Sequence, residues 1–176
     1  NANTTGTQNT ALGALALDAN TTGSYNTALG EKSLSTNILG SKSTAIGTFA
    51  LFSQNPASAV DMFNTAVGYD AGNAVTTGTR DTLVGGLAGD ALTTGSFNVA
   101  VGYTSLGVTT TGSSNVALGD AALALNTTAS NNTAVGKDAL TANTTGHSNT
   151  ALGQDAVKTA TTATYNTGLG RLALGA

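Results

Sequence analysis

The chain has 176 residues, with six Lys and Arg, nine Asp and Glu, one His, 23 Gly and neither Cys nor Trp, and its formal net charge is −3. The lack of Cys excludes a disulfide framework, a zinc finger and thiol catalysis, and an acidic chain with scattered basic residues argues against a nucleic-acid partner. No stretch approaches the roughly 20 apolar residues that cross a bilayer, so we expect no membrane insertion by this segment.

Hydrophobic residues make up 40% of the chain, but aromatic residues only 5% and charged residues only 9%, against a usual charged share of roughly a quarter. Ala, Leu, Val and Ile fill narrow spaces, which predicts a thin, repetitive interior rather than one thick core. Because the sequence starts at Asn1 and not at Met, we expect a mature or excised part of a longer protein, with targeting information elsewhere.

One motif, an aliphatic residue followed by Gly, recurs ten times along the chain. Successive copies are 17 residues apart, except for one interval of 21 between Gly47 and Gly68. We call this Gly the anchor and count positions from it, so that −1 precedes the anchor and +1 follows it. The anchors are Gly13, Gly30, Gly47, Gly68, Gly85, Gly102, Gly119, Gly136, Gly153 and Gly170.

The three positions before each anchor predict a short strand. Position −3 is mostly Thr, position −2 mostly Ala, and position −1 is aliphatic in all ten repeats. Neighbouring strand residues face opposite sides, so we expect one aliphatic column to line the coil and the Ala column to face away. The predicted core ladder consists of Leu12, Leu29, Ile46, Val67, Val84, Val101, Leu118, Val135, Leu152 and Leu169.

The rest of each repeat predicts corners and turns. Asn precedes the strand at −4 in eight repeats, and Asn and Gly tolerate left-handed backbone, which predicts tight corners at both strand ends. An apolar pair at +3 and +4, such as Ala122-Leu123, predicts a second short strand or its equivalent. A Thr-rich turn, such as Thr93-Thr94-Gly95, completes the repeat.

Two short strands and two turns in 17 residues predict one coil of a parallel β-solenoid. The fold class is therefore all-β, with residues 1–176 forming a single domain of ten coils and residues 51–62 forming a loop insertion in one turn. Columns stacked about 4.8 Å apart would give a rod of roughly 5 nm. A helical reading of the Ala-Leu pairs is disfavoured, because Asn and Gly interrupt every repeat.

The unit Asn-Thr-Ala-Leu-Gly, as at 149–153, resembles the head repeats of YadA-like trimeric autotransporter adhesins. It also resembles the Thr-Thr-Gly-Ser-x-Asn-Thr-Ala-Val-Gly repeats of tail-fibre-like bacterial and phage proteins. The similarity runs from Asn9 to Leu174. It implies a left-handed parallel β-roll, in which three identical chains pack side by side into a head or fibre segment.

Oligomerisation also follows from the residues themselves. Both faces of the predicted strand carry apolar columns, and a narrow coil can bury only one of them. The other column would form an apolar stripe well above the roughly 400 Å² that soluble monomers tolerate, so we expect a closed, parallel oligomer. The residues leave two or three chains open, whereas the resemblance implies three.

The interval of 21 residues holds the one Pro, the one Met and three of the four Phe of the chain. We consider it a candidate contact loop, since loops on rigid scaffolds often bind partners, and the alternative is an insertion that a turn merely tolerates. The candidate contact residues are Phe52, Gln54, Asn55, Pro56, Asp61 and Met62.

No pattern points to catalysis, a cofactor or a metal. His147 is the only His and is expected to be solvated, and the scattered Asp residues are interpreted as solubilising charges. Thr pairs at the turns could present hydroxyls to ice or glycans, but Thr beside Gly more often bonds locally within a turn.

The sequence therefore predicts a non-enzymatic structural and adhesive segment of an extracellular trimeric fibre on the cell surface. Its expected partners are copies of itself, side by side or end to end, and a host-surface glycan or matrix protein. The alternatives are a phage or phage-like tail-fibre segment on a virion and a self-stacking extracellular filament subunit, because the end repeats carry no polar cap. An ice-binding solenoid is more distant.

Overall fold

A computed structural model describes residues 2–175. Each repeat forms one three-residue strand at positions −3 to −1, as predicted. The strands are β1 Thr10–Leu12, β2 Thr27–Leu29, β3 Thr44–Ile46, β4 Thr65–Val67, β5 Thr82–Val84, β6 Val99–Val101, β7 Val116–Leu118, β8 Thr133–Val135, β9 Thr150–Leu152 and β10 Thr167–Leu169.

The ten strands form one parallel sheet in which every strand pairs only with its neighbours in sequence. The register matches repeat to repeat, so that Ala100 pairs with Ala117 and Val101 with Leu118. Parallel pairing of successive strands requires the chain to travel once around a coil between them. The all-β parallel solenoid with a 17-residue repeat is confirmed. We number its ten coils from the N-terminus, each running from position −10 to position +6, except that coil 4 contains the insertion and begins four residues earlier, at Gln54.

The middle residue of each strand points into the coil. Position −2 is buried from β2 to β10, and Ala28, Ala100 and Ala117 are completely covered. The Leu at position +4 reaches the same interior, and Leu106 and Leu123 are also completely covered. Burying one small and one large column in each coil gives the thin core that the composition predicts.

The prediction that position −1 forms the core ladder is wrong, because this column lies on the outer face of the sheet. A 17-residue coil has no room for two bulky columns, and since Leu at +4 fills the interior, the strand must turn its Ala side inward. Leu12, Leu29, Leu118, Leu152 and Leu169 are exposed, and Ile46, Val67, Val84, Val101 and Val135 are half-buried.

The Asn at position −4 shares the inward side of the strand with the Ala at −2. Asn26 Oδ1 accepts a hydrogen bond from the Ser43 backbone N–H at 3.0 Å, and Asn26 Nδ2 donates to the Gly40 carbonyl at 2.9 Å. The same bonds recur from coil to coil and satisfy buried backbone groups. The left-handed residue of this corner is the one before Asn, such as Tyr25 with φ of 60°, so Asn acts as a buried ladder and not as the corner itself.

The apolar pair at +3 and +4 forms a turn instead of a second strand. Positions +2 and +4 both have left-handed backbone, as at Ala121 and Leu123 with φ of 54° and 52°. The Leu123 N–H donates to the Ala139 carbonyl of the next coil at 3.0 Å, so the turn still adds to the stacking of the coils.

The anchor glycines stack on each other at the end of the strand. Gly102 has φ of 138°, and a Cβ placed on it would lie 2.4 Å from the carbonyl oxygen of Gly119. Any side chain would therefore force adjacent coils apart. The anchor is Gly in every repeat for this reason.

Candidate interaction surface

The outer face of the ten-stranded sheet is the most regular surface of the molecule. Its two central columns, at positions −3 and −1, contain only Thr, Val, Leu and Ile in all ten strands. Leu118 is 41% exposed and Leu152 49% exposed. Both faces of a parallel sheet are normally covered, yet in the single chain only the inner face has a covering layer.

Aromatic and basic residues border this face along position −5. Arg80 lies over the rings of Phe63 and Phe97, at 5.8 and 5.2 Å from their centroids, and Lys42 lies 5.2 Å from the Phe63 ring. Cations stacked on aromatic faces attract through the ring quadrupole. Tyr69 and Tyr103 extend from the opposite border, at position +1, and are both more than half exposed.

The predicted contact loop is only partly available to a partner. Gln54 is completely buried: its Oε1 accepts from Asn64 Nδ2 at 3.0 Å, and its Nε2 donates to Asn37 Oδ1 at 3.2 Å and Ser43 Oγ at 3.0 Å. In coil 4, residues 54–74, Gln54 occupies the −10 column in which Asn37 stands one coil earlier. Gln54 therefore links the buried column at position −10, through Asn37, to the asparagine ladder at position −4, through Asn64.

Two further residues of the contact loop are buried, and the rest is at the surface. Pro56 and Met62 are covered, and the Met62 Cγ would lie 3.1 Å from a Cβ on Gly40. Phe52 is half-buried, with its ring 5.7 Å from that of Phe49 in an edge-to-face contact. Asn55 and residues 57–61 are exposed. Lys42 Nζ donates to Asp61 Oδ2 at 2.7 Å in a salt bridge.

The Thr pairs of the turns divide into an inner and an outer residue. The first Thr of a pair bonds to the next coil, as where Thr93 Oγ1 donates to the Thr110 carbonyl at 2.9 Å. The second Thr, such as Thr94, is exposed. From Thr4 to Thr144, the first hydroxyl of each pair is therefore engaged within the solenoid, in the local bonding that Thr favours at turns.

The ionisable residues are spread over the surface, with two exceptions. His147 is exposed and packs edge to face against Tyr165, 5.2 Å between ring centroids. Among residues 2–175, no three His, Asp or Glu side chains come together as metal ligands would. The interpretation of all Asp residues as solubilising charges is wrong for Asp155, which is covered and bonded to Lys158 Nζ at 2.6 Å, and for Asp81.

Asp81 stands in the buried asparagine ladder, where its side chain is completely covered. Burial raises the pKa of its carboxyl to about 7, and hydrogen bonds from Asn98 only partly offset that rise. Sequence reasoning missed this residue. The available signal was its position, since Asp81 replaces Asn in a column that is otherwise Asn or Ser.

Comparison of the chain with protein-family models, with curated proteins and with solved structures finds no match to any of them. The described residues contain no helix long and apolar enough to cross a membrane.

Proposed function

We propose that this chain is a non-enzymatic structural and adhesive segment of an extracellular fibre, built from three parallel copies of the chain. The observation that carries the proposal is the uncharged outer sheet face, in which Thr and aliphatic columns continue through all ten coils. An apolar stripe of this length favours association, and identical repeats favour partners of identical period.

A second copy of the chain fits this face because its own columns have the same spacing. Three parallel chains around one axis bring position −1 of each coil against the same coil of its partners, and no charged residue is present there to be buried. The resemblance to YadA-like head repeats supports three chains and a left-handed coil.

The adhesive contacts would be made by features that interrupt the regular surface. The exposed part of the insertion, at Asn55 and residues 57–61, and the aromatic border around Phe63 and Phe97 lie close together on coils 3 to 6. A host glycan or a matrix protein is the proposed partner. In the alternative function, as a segment of a phage or phage-like tail fibre, the same surfaces would belong to a virion.

The absolute mass of the chain in solution tests the assembly. We expect three times 17.1 kDa, unchanged on dilution, by light scattering or sedimentation. A mass that grows with concentration would instead support end-to-end filament growth. A stable monomer of 17.1 kDa would contradict the proposed trimer and make the flat Thr-bearing sheet face worth testing against ice.

A further inference from the structure

Asp81 is part of the asparagine ladder and reproduces half of its bonding. Asp81 Oδ1 accepts hydrogen bonds from the backbone N–H and the Nδ2 of Asn98, at 2.8 and 3.1 Å. One coil further on, Asn98 Oδ1 accepts the equivalent bonds from Asn115 at 3.1 and 3.2 Å. This half of the Asp81 side chain therefore replaces an Asn carbonyl without loss.

The other half of the carboxyl group takes the place of an amide nitrogen. A Cβ placed on Gly23 would lie 2.3 Å from the Gly40 carbonyl oxygen and 3.2 Å from Asn26 Nδ2. The corresponding distances at Gly78 are 2.3 Å to the Gly95 oxygen and 3.1 Å to Asp81 Oδ2. Asp81 Oδ2 thus faces the Gly95 carbonyl oxygen as Asn26 Nδ2 faces that of Gly40.

The Asn and Asp versions of this contact differ by a proton. Asn26 Nδ2 donates to the Gly40 oxygen at 2.9 Å, whereas the buried Asp81 Oδ2 has no hydrogen-bond partner. Two facing oxygen atoms without a proton repel each other, and an unsatisfied buried charge is strongly unfavourable. A proton on Oδ2 would convert the contact into an O–H···O hydrogen bond.

We propose that Asp81 is held in its neutral acid form, with Oδ2–H donating to the Gly95 carbonyl, and that its ionisation loosens coil 5 from coil 6. The joint between residues 75–91 and 92–108 is then a pH-sensitive point in an otherwise uniform rod. The Asn residues of the ladder from Asn9 to Asn149 make the corresponding contact with an amide group that does not titrate.

The surroundings of Asp81 contain no charge that would hold it ionised. Arg80, its neighbour in the chain, is exposed and engaged with Phe63 and Phe97 on the outer face. Among the described residues, only Asn98 opposes the rise in the pKa of Asp81 that burial causes. The other ionisable groups of coils 4, 5 and 6, none of which bonds or pairs with this carboxyl, are Asp61, Tyr69, Asp70, Asp90 and Tyr103.

The direction of the pH effect follows from the raised pKa. An unfolded Asp titrates near pH 4, whereas folded Asp81 titrates at about 7. The folded state binds the proton more tightly, so its advantage is complete below about pH 4 and is lost as the pH rises to about 7. Across that window, one such group lowers the folding equilibrium constant by up to about tenfold per pH unit.

The test compares the whole chain with Asp81→Asn, which restores the ladder residue found in most coils. Hydrogen-exchange protection factors at Phe97 and Asn98 should fall in the wild type between about pH 4 and pH 7 and stay level in Asp81→Asn. Amides of Asn132 and Asn149, in the same ladder, serve as internal references. Asp120→Asn removes an exposed carboxylate that lies 3.6 Å from Lys137, and should leave the wild-type profile unchanged.

Infrared spectroscopy reads the proton directly. At about pH 5.5, where an ordinary carboxyl is ionised, the wild type should retain a protonated-acid band that Asp81→Asn lacks. Absence of that band in the wild type, or identical protection profiles in wild type and Asp81→Asn, would overturn the proposal.

Discussion

Left-handed backbone at non-glycine residues is the most unusual feature of this chain at the scale of single residues. It recurs at positions −5, +2 and +4, so that coil 7 contains Ser114, Ala121 and Leu123 in this conformation, with φ of 57°, 54° and 52°. Each such L-residue costs roughly 1–2 kcal/mol relative to right-handed backbone. Stacking of identical coils offsets the cost, because each left-handed corner directs an N–H group to a carbonyl of an adjacent coil.

Replacement of a left-handed Ala by Gly should therefore stabilise the solenoid. Ala121→Gly removes the steric cost at φ of 54°, and we expect a gain of about 0.5–1 kcal/mol in the free energy of unfolding. Ala124→Gly lies in the same turn and is also half-buried, but its φ is not positive, so it should lose about 0.5–1 kcal/mol. Chemical denaturation of both variants gives the comparison, and equal effects would contradict the strain argument.

At the scale of the strand and the turn it faces, coils 4 and 5 distribute side-chain volume differently from the other coils. The strand supplies the large residue, Leu83, and the turns supply two glycines. Leu83 is the one large residue at position −2, and position +4 is Gly only at Gly72 and Gly89, on either side of it. A Cβ on Gly72 would lie 2.6 Å from Leu83 Cδ1, and a Cβ on Gly89 would lie 2.9 Å from Leu83 Cδ2. In this part of the core, the large side chain therefore comes from the strand, whereas in the other coils it comes from the turn.

This exchange predicts a compensating set of substitutions. Leu83→Ala should leave a cavity and cost about 2–5 kcal/mol in the free energy of unfolding. Adding Gly72→Leu and Gly89→Leu restores the arrangement of the other coils and should recover most of that loss, whereas the two Leu substitutions without Leu83→Ala should overpack the core. Thermal and chemical unfolding of the three variants measures the coupling. Purely additive effects would show that the two columns do not share one space.

The same residues explain what the sequence could and could not predict. The spacing of the anchors predicted every strand and the register, because a constant period stacks equal residues. The period of two along a strand, however, allows either face to be inside, so it does not decide whether position −1 or position −2 lines the core. The joint departure at Leu83, Gly72 and Gly89 was the available signal that position −2 packs against position +4. The burial of Asp81 depended on that same choice, because position −4 lies on the same side of the strand as position −2.

The insertion can be removed to separate adhesion from folding. Deleting residues 57–60 restores the 17-residue interval, and Asp61→Gly restores the usual Gly of the turn. This variant should keep its stability and assembly, because those four residues are exposed, but lose binding to immobilised glycans or matrix proteins. Substitution of Thr94 and Thr111 by Ser, on exposed turns of coils 6 and 7, is the surface control. Undiminished binding after the deletion would remove the insertion from the proposed adhesive surface.

At the scale of the whole molecule, each coil contacts only the coils beside it, so solenoid stability is a sum of coil and neighbour terms. Lateral assembly, in contrast, would use all ten strands at once, through the columns at −3 and −1. Packing inside the solenoid uses the inner face of each strand, whereas lateral assembly would use its outer face. Substitutions on the outer face should therefore separate the trimer without unfolding the coils.

The decisive variants place charge on one side of the rod or the other. Val101→Asp with Leu118→Asp introduces two carboxylates at position −1 of coils 6 and 7, where burial against a partner would leave them unpaired. We expect the mass to fall from three times 17.1 kDa to 17.1 kDa with the circular dichroism of the coil retained. Val108→Asp with Leu125→Asp makes the same changes at position +6 of those coils, where the residues are 41% and 51% exposed, and should leave the mass unchanged. Loss of assembly in the second pair but not the first would place the interface on the turns, and retention of the trimer in both would exclude the sheet face as the surface that joins the chains.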